Sequence, residues 1–354
     1  MSIEARAFGA LPDGRAVTQY TMKNRAGGSV SVLNYGAIFT SIVVPDRDGN
    51  LTDVALGFDS LQAYLGDHGA MGDTVGRYGN RIARGRFELD GVTVQLALND
   101  GENHLHGGFK GFSSKLWAAQ PCPGNGTDAL VLTMTSPDGE EGYPGTLDVK
   151  LTVTWDDDCR LTLRYEADTD KPTLCNMTNH TYFNLAGQDH GTIGDHVLTV
   201  ESDAVTRVDG SLIPTGDLVD VTGTPLDLRT GKTLGEGLER IAESKSMTMA
   251  GGYDHNYALR KGEGMGLAAT LSCAQSGIAM DVLTDQPGIQ VYTACATELA
   301  GGKGGAHYGR YCAVCLETQH YPDAPNNPQF PGTTVLRPDE HYDTTTVYAL
   351  RTLA

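Results

Sequence analysis

The feature that most constrains this fold is a succession of short β-patterned runs separated by turn residues. Each run is rich in branched and aromatic side chains and is bounded by Gly, Asp or Pro, as strands are. The chain uses 45 glycines in 354 residues, well above the roughly 7% typical of proteins, and this favours many turns over long helices. The predicted strands are Ser29–Asn34, Ala37–Val44, Arg86–Leu89, Val92–Leu96, Leu130–Thr135, Thr146–Trp155, Arg160–Ala167, Leu174–Leu185, His196–Glu201, Leu267–Cys273, Ile278–Leu283, Ile289–Ala294, Tyr311–Gln319 and Thr345–Leu350.

Helical patterns are scarce. Ser60–Leu65 and Gly235–Ser244 are the only segments that predict short helices. Many strands with few helices are typical of a large antiparallel β-sandwich, and no repeat or linker divides the chain. We therefore expect an all-β fold in a single domain over residues 1–354.

The charge balance restricts the partners. The formal net charge is −18, so the field of the protein repels phosphates and disfavours nucleic acid and anionic membranes. No apolar run reaches the roughly 20 residues of a membrane helix, and the N-terminus lacks the basic and apolar regions of a signal peptide. Seven cysteines, an odd number, are typical of reduced thiols. These features indicate a cytoplasmic protein.

Four segments place polar groups in β-patterned sequence: Gly76–Ile82, Asn103–Gly108, Asn176–Leu185 and Cys315–Gln319. We interpret the last two as strands. If residues 174–185 form a strand, Asn176, Thr178, His180, Tyr182 and Asn184 share one face, which suits a polar cleft as well as an ordinary outer face.

The segment Cys315–Gln319 holds a carboxylate, that of Glu317. In the predicted strand Tyr311–Gln319, Glu317 shares a face with Cys315, and Val314 and Leu316 occupy the other face. A partly buried glutamate has a raised pKa and becomes a better base near neutrality, although most lone glutamates are simply exposed.

Two patterns resemble metal or redox motifs. Cys312 and Cys315 have CxxC spacing, but residues three apart on a strand point to opposite faces and no second ligand pair accompanies them. His104 and His106 have metal-pair spacing, but the following glycines indicate a tight turn beside a ligand. We predict no metal site and no cofactor.

Taken together, the motifs resemble the aldose 1-epimerase (galactose mutarotase) family. The resemblance runs in order along roughly 300 residues through these blocks: Leu33–Ala37, Ile42–Asp46, Gly76–Ile82, Leu105–Gly108, Asn179–Leu185, Gly252–Asn256, Gln286–Tyr292, Cys315–Gln319, Phe330–Gly332 and Leu336–Pro338. One block departs from the family pattern, at Ala294–Gly302, and we expect it to affect substrate preference.

The resemblance implies a large β-sandwich (a galactose mutarotase-like supersandwich) with a monosaccharide in an open cleft, acting as a monomer or homodimer. By motif, His180 matches the family's general acid and Glu317 its general base. The positions that match its sugar-contacting residues are Asn80, Arg81, His106, Asp254 and Gln290. Exchange of α and β anomers then proceeds by ring opening, with Glu317 as the acceptor of a proton and His180, kept protonated near neutrality, as the donor.

Three alternatives remain at this point. A hexose-6-phosphate 1-epimerase would need a basic phosphate site, which the net charge of −18 disfavours. A non-catalytic carbohydrate-binding protein would be expected to lack Glu317 or His180. A glycosidase could pair Asp254 with Glu317, but His180 would then have no role. The sequence does not indicate which aldose is preferred.

Overall fold

The computed structural model describes residues 2–124 and 127–353. It is built from strands, with three α-helices among the described residues, none longer than six residues. The strands, in chain order, are β1 Ser2–Ala10, β2 Ala16–Lys23, β3 Ser29–Leu33, β4 Phe39–Pro45, β5 Leu51–Asp53, β6 Thr74–Val75, β7 Arg81–Ile82, β8 Arg86–Leu89, β9 Val92–Gln95, β10 His104–Leu105, β11 Ala118–Cys122, β12 Thr127–Ser136, β13 Leu147–Asp156, β14 Arg160–Thr169, β15 Thr173–Leu174, β16 Thr178–Asn179, β17 Tyr182–Phe183, β18 His196–Val200, β19 Ser202–Val208, β20 Pro214–Asp220, β21 Lys232–Thr233, β22 Asp254–Leu259, β23 Gly266–Cys273, β24 Ile278–Thr284, β25 Gly288–Tyr292, β26 Val314–Gln319, β27 Val335–Leu336 and β28 Tyr342–Thr352.

Three large antiparallel sheets carry the architecture. The first has the order β1-β2-β3-β4-β5, and the second has nine strands in the order β11-β12-β13-β14-β28-β24-β23-β18-β21. The third has the order β17-β26-β25-β22-β19-β20. The prediction of a large antiparallel all-β fold is confirmed.

A single large apolar cluster joins these sheets. It takes Val30 from the five-stranded sheet, Leu151 and Val282 from the nine-stranded sheet, and Ile289 and Leu316 from the six-stranded sheet, all at most 1% exposed. Strands of the nine-stranded sheet show the alternation expected of a sandwich. β13, for example, buries every second side chain. The site described below lies on the six-stranded sheet, on the face opposite this core.

The helices are α1 Leu61–Leu65, α2 Leu234–Glu239 and α3 Lys245–Ala250. Ser60 caps α1 by accepting a hydrogen bond from the Ala63 amide, which agrees with the helix predicted there. The single helix predicted at Gly235–Ser244 is wrong in extent. It is α2 followed by a 3₁₀ turn, and α3 begins anew after the Ser244 cap.

The continuous strand predicted at Leu174–Leu185 is also wrong. The segment forms three two-residue strands, which pair with three different partners: β15 with β27, β16 with β6, and β17 with β26. Residues 173–185 are all buried, so there is no exposed polar face. The three strands pair with different partners because they belong to three different sheets.

All seven cysteines are free thiols in the structure. Cys312 precedes β26 and Cys315 lies within it, so strand alternation does not relate the two as predicted, and both belong to one buried apolar cluster. No helix within residues 2–124 and 127–353 is both long and apolar enough to cross a membrane.

Candidate functional site

Strand β26 positions Glu317. All six residues of β26 are buried, with Val314 and Leu316 in the apolar core and Glu317 on the opposite face. This matches the two faces predicted from the sequence. Glu317 is 2% exposed and lies opposite Gln290 on β25. A carboxylate is thus held in the middle of a sheet, away from water.

His180 lies between the short strands β16 and β17. Its backbone N–H donates to the carbonyl of Asp73 at 2.9 Å, and its carbonyl accepts from the amide of Gly72 at 3.0 Å. Its ring stacks on Tyr182, with ring centroids 5.1 Å apart. The Nε2 atom of His180 is 3.7 Å from Oε1 of Glu317. This distance is too long for a hydrogen bond and leaves both atoms free to contact a ligand.

His106 approaches the pair from the turn after β10. Its ring centroid is 5.2 Å from that of His180, with the planes nearly perpendicular. His106 has a φ of 49° and is followed by Gly107, where a Cβ atom would come within 1.9 Å of the Gly76 carbonyl oxygen. Only glycine permits this close approach, as the sequence predicted.

A backbone contact sets the tautomer of His106. The amide of Asn80 donates to Nδ1 of His106 at 3.2 Å, and the amide of His106 donates to the Asn80 carbonyl at 3.1 Å. Because Nδ1 accepts a hydrogen bond, the proton of the neutral ring is on Nε2. His106 therefore presents an N–H donor toward His180 and Glu317.

Arg81 and Asp254 are held by polar partners. Nε of Arg81 donates to Asp100 at 2.8 Å, and the Asn80 side chain accepts from the Arg81 amide at 2.8 Å. Nε2 of Gln290 donates to Asp254 at 2.5 Å. Asn80, Arg81, Asp254 and Gln290 line one niche, and Gln290 adjoins Glu317. The structure thus brings all seven sequence-predicted site residues into one region.

Burial acts on both members of the His180–Glu317 pair. It raises the pKa of Glu317 well above its ordinary value, with Asp254 adding to the shift and Arg81 opposing it. It lowers the pKa of His180 to about 4, against the opposing charge of Asp73. Burial thus disfavours the charged form of both groups and favours the neutral form of the pair. The expectation that His180 stays protonated near neutrality is wrong for this site, because desolvation outweighs the nearby carboxylate.

The neighbouring groups shift in the same way. Burial lowers the pKa of His106 well below its usual value, with the charges of His180 and Arg81 contributing. Burial raises the pKa of Asp254, although Arg81 and Gln290 oppose the shift. Perturbed ionisable groups gathered at one place are characteristic of functional sites.

His106, His180 and Glu317 offer ligand atoms that all lie within 4.8 Å of one another. A histidine that binds a metal through one ring nitrogen normally donates a hydrogen bond from the other. Nδ1 of His106 instead accepts one from Asn80, so the ring orientation opposes metal binding through Nε2. The donor set fits proton transfer and hydrogen bonding better than it fits a metal.

His104 takes no part in this cluster. Its Nδ1 contacts the carbonyl of Ala97 at 2.7 Å and its Nε2 contacts the Tyr143 hydroxyl at 2.6 Å. The His104 and His106 rings thus contact different groups, and the two residues do not form a metal-binding pair.

Asp73 and His68, next to His180, were not predicted from the sequence. Asp73 is 4% exposed, and its carboxylate contacts Nε2 of His68 at 2.9 Å. Asn256, which lines the niche with Gln290, was not predicted either. Neither Asp73 nor His68 lies in a β-patterned run. Asn256 lies in a motif block, but the β-propensity of Asp-His-Asn is low and strand β22 was not predicted.

The divergent segment Ala294–Gly302 packs beside the site. The amide of Ala296 donates to the Tyr292 hydroxyl at 3.3 Å, and the Tyr292 ring meets the His180 ring edge to face. Its effect on substrate preference stays a prediction.

Comparisons with known proteins identify the family of this chain. The family model described as aldose 1-epimerase matches residues 18–349. A galactose mutarotase from Sus scrofa is 41% identical over 347 residues, covering 98% of both chains. An aldose 1-epimerase from Escherichia coli (strain K12) is 35% identical over 340 residues, covering 95% of this chain and 96% of that one.

A solved structure shares the fold at full length. The galactose 1-epimerase from Lactobacillus acidophilus superposes with a TM-score of 0.87 at 27% identity, covering 100% of this chain and 99% of that one. Since both the family model and these relatives extend over nearly the whole chain, the protein belongs to the aldose 1-epimerase family and is an isomerase that interconverts sugar anomers.

Proposed function

We propose that the protein interconverts the α and β anomers of free aldoses such as galactose or glucose, with Glu317 as the base and His180 as the acid. The observation that carries this proposal is the buried Glu317–His180 pair, whose Oε1 and Nε2 atoms are 3.7 Å apart. Anomer exchange needs one proton acceptor and one proton donor within reach of adjacent oxygens of the sugar.

The pair reaches its reactive form by moving one proton from Glu317 to His180. This gives a carboxylate and an imidazolium, which Arg81 and Asp73 stabilise respectively, since their charges favour those ionised forms. Glu317 then takes the proton from the C1 hydroxyl while His180 donates its proton to the ring oxygen. The bond between C1 and the ring oxygen breaks and an aldehyde forms at C1.

Ring opening returns the pair to its neutral form. Rotation about the C1–C2 bond presents the other face of the aldehyde, and the same two transfers in reverse close the ring. No proton is gained or lost by the pair over the cycle. No step needs a metal ion or a cofactor.

The remaining site residues bind and orient the sugar in this proposal. His106 donates a hydrogen bond from Nε2, and Arg81, Asn80, Asp254 and Gln290 contact hydroxyl groups. Orientation of this kind is itself catalytic, because a small misplacement of reacting atoms costs rate. We also propose that residues 1–354 act as a single domain, since one core cluster draws on all three large sheets.

The test is polarimetry of freshly dissolved α-anomers with the wild-type enzyme, Glu317→Gln and His180→Asn. Both substitutions nearly preserve shape, so we expect KM to change little and kcat to fall about 10²–10⁴-fold in each. Wild-type activity should survive treatment with EDTA. The exposed His307 serves as the control, and His307→Asn should behave as the wild type.

Near-normal turnover in Glu317→Gln would overturn its role as base and make Asp254 the next candidate. If only Glu317→Gln is inactive, the acid is not His180 and His106 is tested next. Loss of activity with EDTA, restored by a divalent ion, would overturn the metal-free mechanism.

A further inference from the structure

A row of polar side chains extends from Glu317 to a residue without an assigned role. Asn256 on β22 lies opposite Gln290 on β25, which lies opposite Glu317 on β26. Directly opposed residues on one sheet face have Cβ atoms about 4.5–5.5 Å apart. Asn256 is therefore the third member of a row that ends at the proposed base.

The Asn256 amide is buried without a partner. The residue is 2% exposed, and neither Nδ2 nor Oδ1 makes a hydrogen bond. Oε1 of Gln290 and Oε2 of Glu317 are likewise unpaired. Buried amides normally have partners, because leaving a polar group unpaired away from water costs free energy. Three adjacent members with unpaired atoms indicate a surface completed by a ligand.

The packing around Asn256 fixes its position. A Cβ atom at Gly288 would lie 2.6 Å from Oδ1 of Asn256, so the amide occupies the space that a side chain at position 288 would take. Glycine at this position lets the Asn256 side chain lie against the sheet beside the row.

Asn256 also lines the small niche that holds four proposed sugar-contacting residues. The niche measures about 10 Å³, which is the size of one water-sized group and too small for a sugar ring. The hydroxyl of Thr206, also on the niche wall, is 2% exposed and unpaired. The niche thus offers an amide donor, an amide acceptor and a hydroxyl to a group the size of one hydroxyl.

We propose that Asn256, together with Thr206, binds a single hydroxyl group of the aldose and so determines which aldoses the enzyme prefers. This inference rests on the proposed function, since it names a further contact in the same site. A site built to hydrogen-bond a hydroxyl discriminates strongly against the analogue that lacks it, because its polar groups are then left unpaired.

The experiment measures kcat/KM for mutarotation of galactose and of related sugars that lack one group or differ in its configuration. The panel contains galactose, 2-deoxygalactose, 6-deoxygalactose and arabinose, the last lacking the whole hydroxymethyl group, with glucose as the 4-epimer. In the wild type, we expect one of these changes to lower kcat/KM at least about tenfold. In Asn256→Ala, kcat/KM for galactose should fall by about the same factor. For the analogue that the wild type disfavours, the substitution should cause no further fall in kcat/KM.

Two further variants keep the test decisive. Thr206→Val should reduce the discrimination at the same group of the sugar, and Asn256→Ser provides a milder change if Asn256→Ala does not fold. The matched control is Asn24→Ala. Asn24 is also buried, at 7% exposed, with an unpaired Oδ1, but its Nδ2 contacts the Asp156 carbonyl, outside the niche. The control should reproduce the wild-type panel.

An equal loss of kcat/KM for every sugar in Asn256→Ala, or no loss for any, would overturn the inference and leave a structural or water-binding role. These outcomes are distinct from failure of the proposed function. If the proposed function is wrong, the wild-type enzyme does not accelerate mutarotation, or Glu317→Gln remains active.

Discussion

At Glu317 and His180, burial acts on two ionisable groups of opposite type. It disfavours the carboxylate and the imidazolium alike and so favours the neutral form of the pair. The sequence alone suggested the reverse, an ionised glutamate beside a protonated histidine. The neutral and ionised forms hold the same number of protons, so the pair titrates as a unit.

This arrangement predicts which group limits activity at each end of the pH range. Activity should fall at low pH as His180 is protonated while Glu317 keeps its proton, because the pKa of His180 is lowered to about 4. It should fall at high pH as Glu317 loses its proton, with a pKa well above the ordinary carboxyl value. The measurement is the pH dependence of kcat/KM, together with infrared difference spectra of wild type and Glu317→Gln at pH 7. A protonated-carboxyl band should be present only in the wild type.

A spectrum at pH 7 without that band would contradict the prediction and show an ionised Glu317. In that case the low-pH limb belongs to the carboxylate and the high-pH limb to the imidazole.

At the scale of elements, the site depends on short strands and the turns between them. β6 and β16 pair over two residues, and the buried His68–Asp73 contact lies beside them. Burial alone would lower the pKa of His68, but its contact with the Asp73 carboxylate raises the pKa to about 9. The segment that supports His180 is thus stabilised by an ion pair.

This ion pair predicts a pH-dependent stability. Because the pKa of His68 is raised above its unfolded value of 6.5, its contribution is fully present below about pH 6.5 and is lost as the pH rises through about 9. Urea unfolding midpoints of the wild type should therefore fall over this range more steeply than those of His68→Gln. His307→Gln, at an exposed histidine, should keep the wild-type slope. Equal slopes in the wild type and His68→Gln would rule out this contribution.

The regular strands were predicted better from the sequence than the irregular segments, and the reason is physical. Runs such as Arg86–Leu89 and Thr146–Trp155 bury alternate side chains, so their pattern and their structure agree closely. The sequence of residues 174–185 resembles one continuous strand, but the three short strands formed there pair in different sheets. Local sequence does not encode such a change of partner.

The candidate site was predictable where a motif names the residue. Glu317 and its two strand faces followed from alternation within β26. The raised pKa of Glu317 agrees with the sequence prediction, but the lowered pKa of His180 was not predicted, because it depends on how completely segments distant in sequence exclude water. Asp73 acquires its place beside the site from a backbone hydrogen bond with His180, and Asn256 acquires its place from β pairing with Gln290, both more than 30 positions away.

At the scale of the whole molecule, β28 connects the core to the site. Tyr348 on β28 is 1% exposed, packs against Phe183 with ring centroids 5.2 Å apart, and donates a hydrogen bond to the Leu316 carbonyl at 3.0 Å. Leu316 precedes Glu317 on β26. Tyr348 thus links the nine-stranded sheet to the strand that carries the proposed base.

Two substitutions at Tyr348 separate its packing from its hydrogen bond. Tyr348→Phe removes only the hydroxyl and should lower the free energy of unfolding by about 0.5–1.5 kcal/mol. Tyr348→Ala also opens a cavity and should cost about 3–5 kcal/mol, as for other large aromatic truncations. Denaturant unfolding of both variants beside the wild type measures the difference. Equal losses would assign the whole effect to the hydrogen bond.

The place of β28 in the nine-stranded sheet also matters during synthesis. The strand lies between β14 and β24, although it follows both in the chain. Until residues 342–352 leave the ribosome, the sheet exists as two separate parts, each with an unpaired edge. About 170 residues separate the end of β14 from the start of β28. At roughly 5–20 residues per second, translation leaves the edge of β14 open for about 10–35 s, a period in which nascent chains on one messenger can pair with each other or with a chaperone.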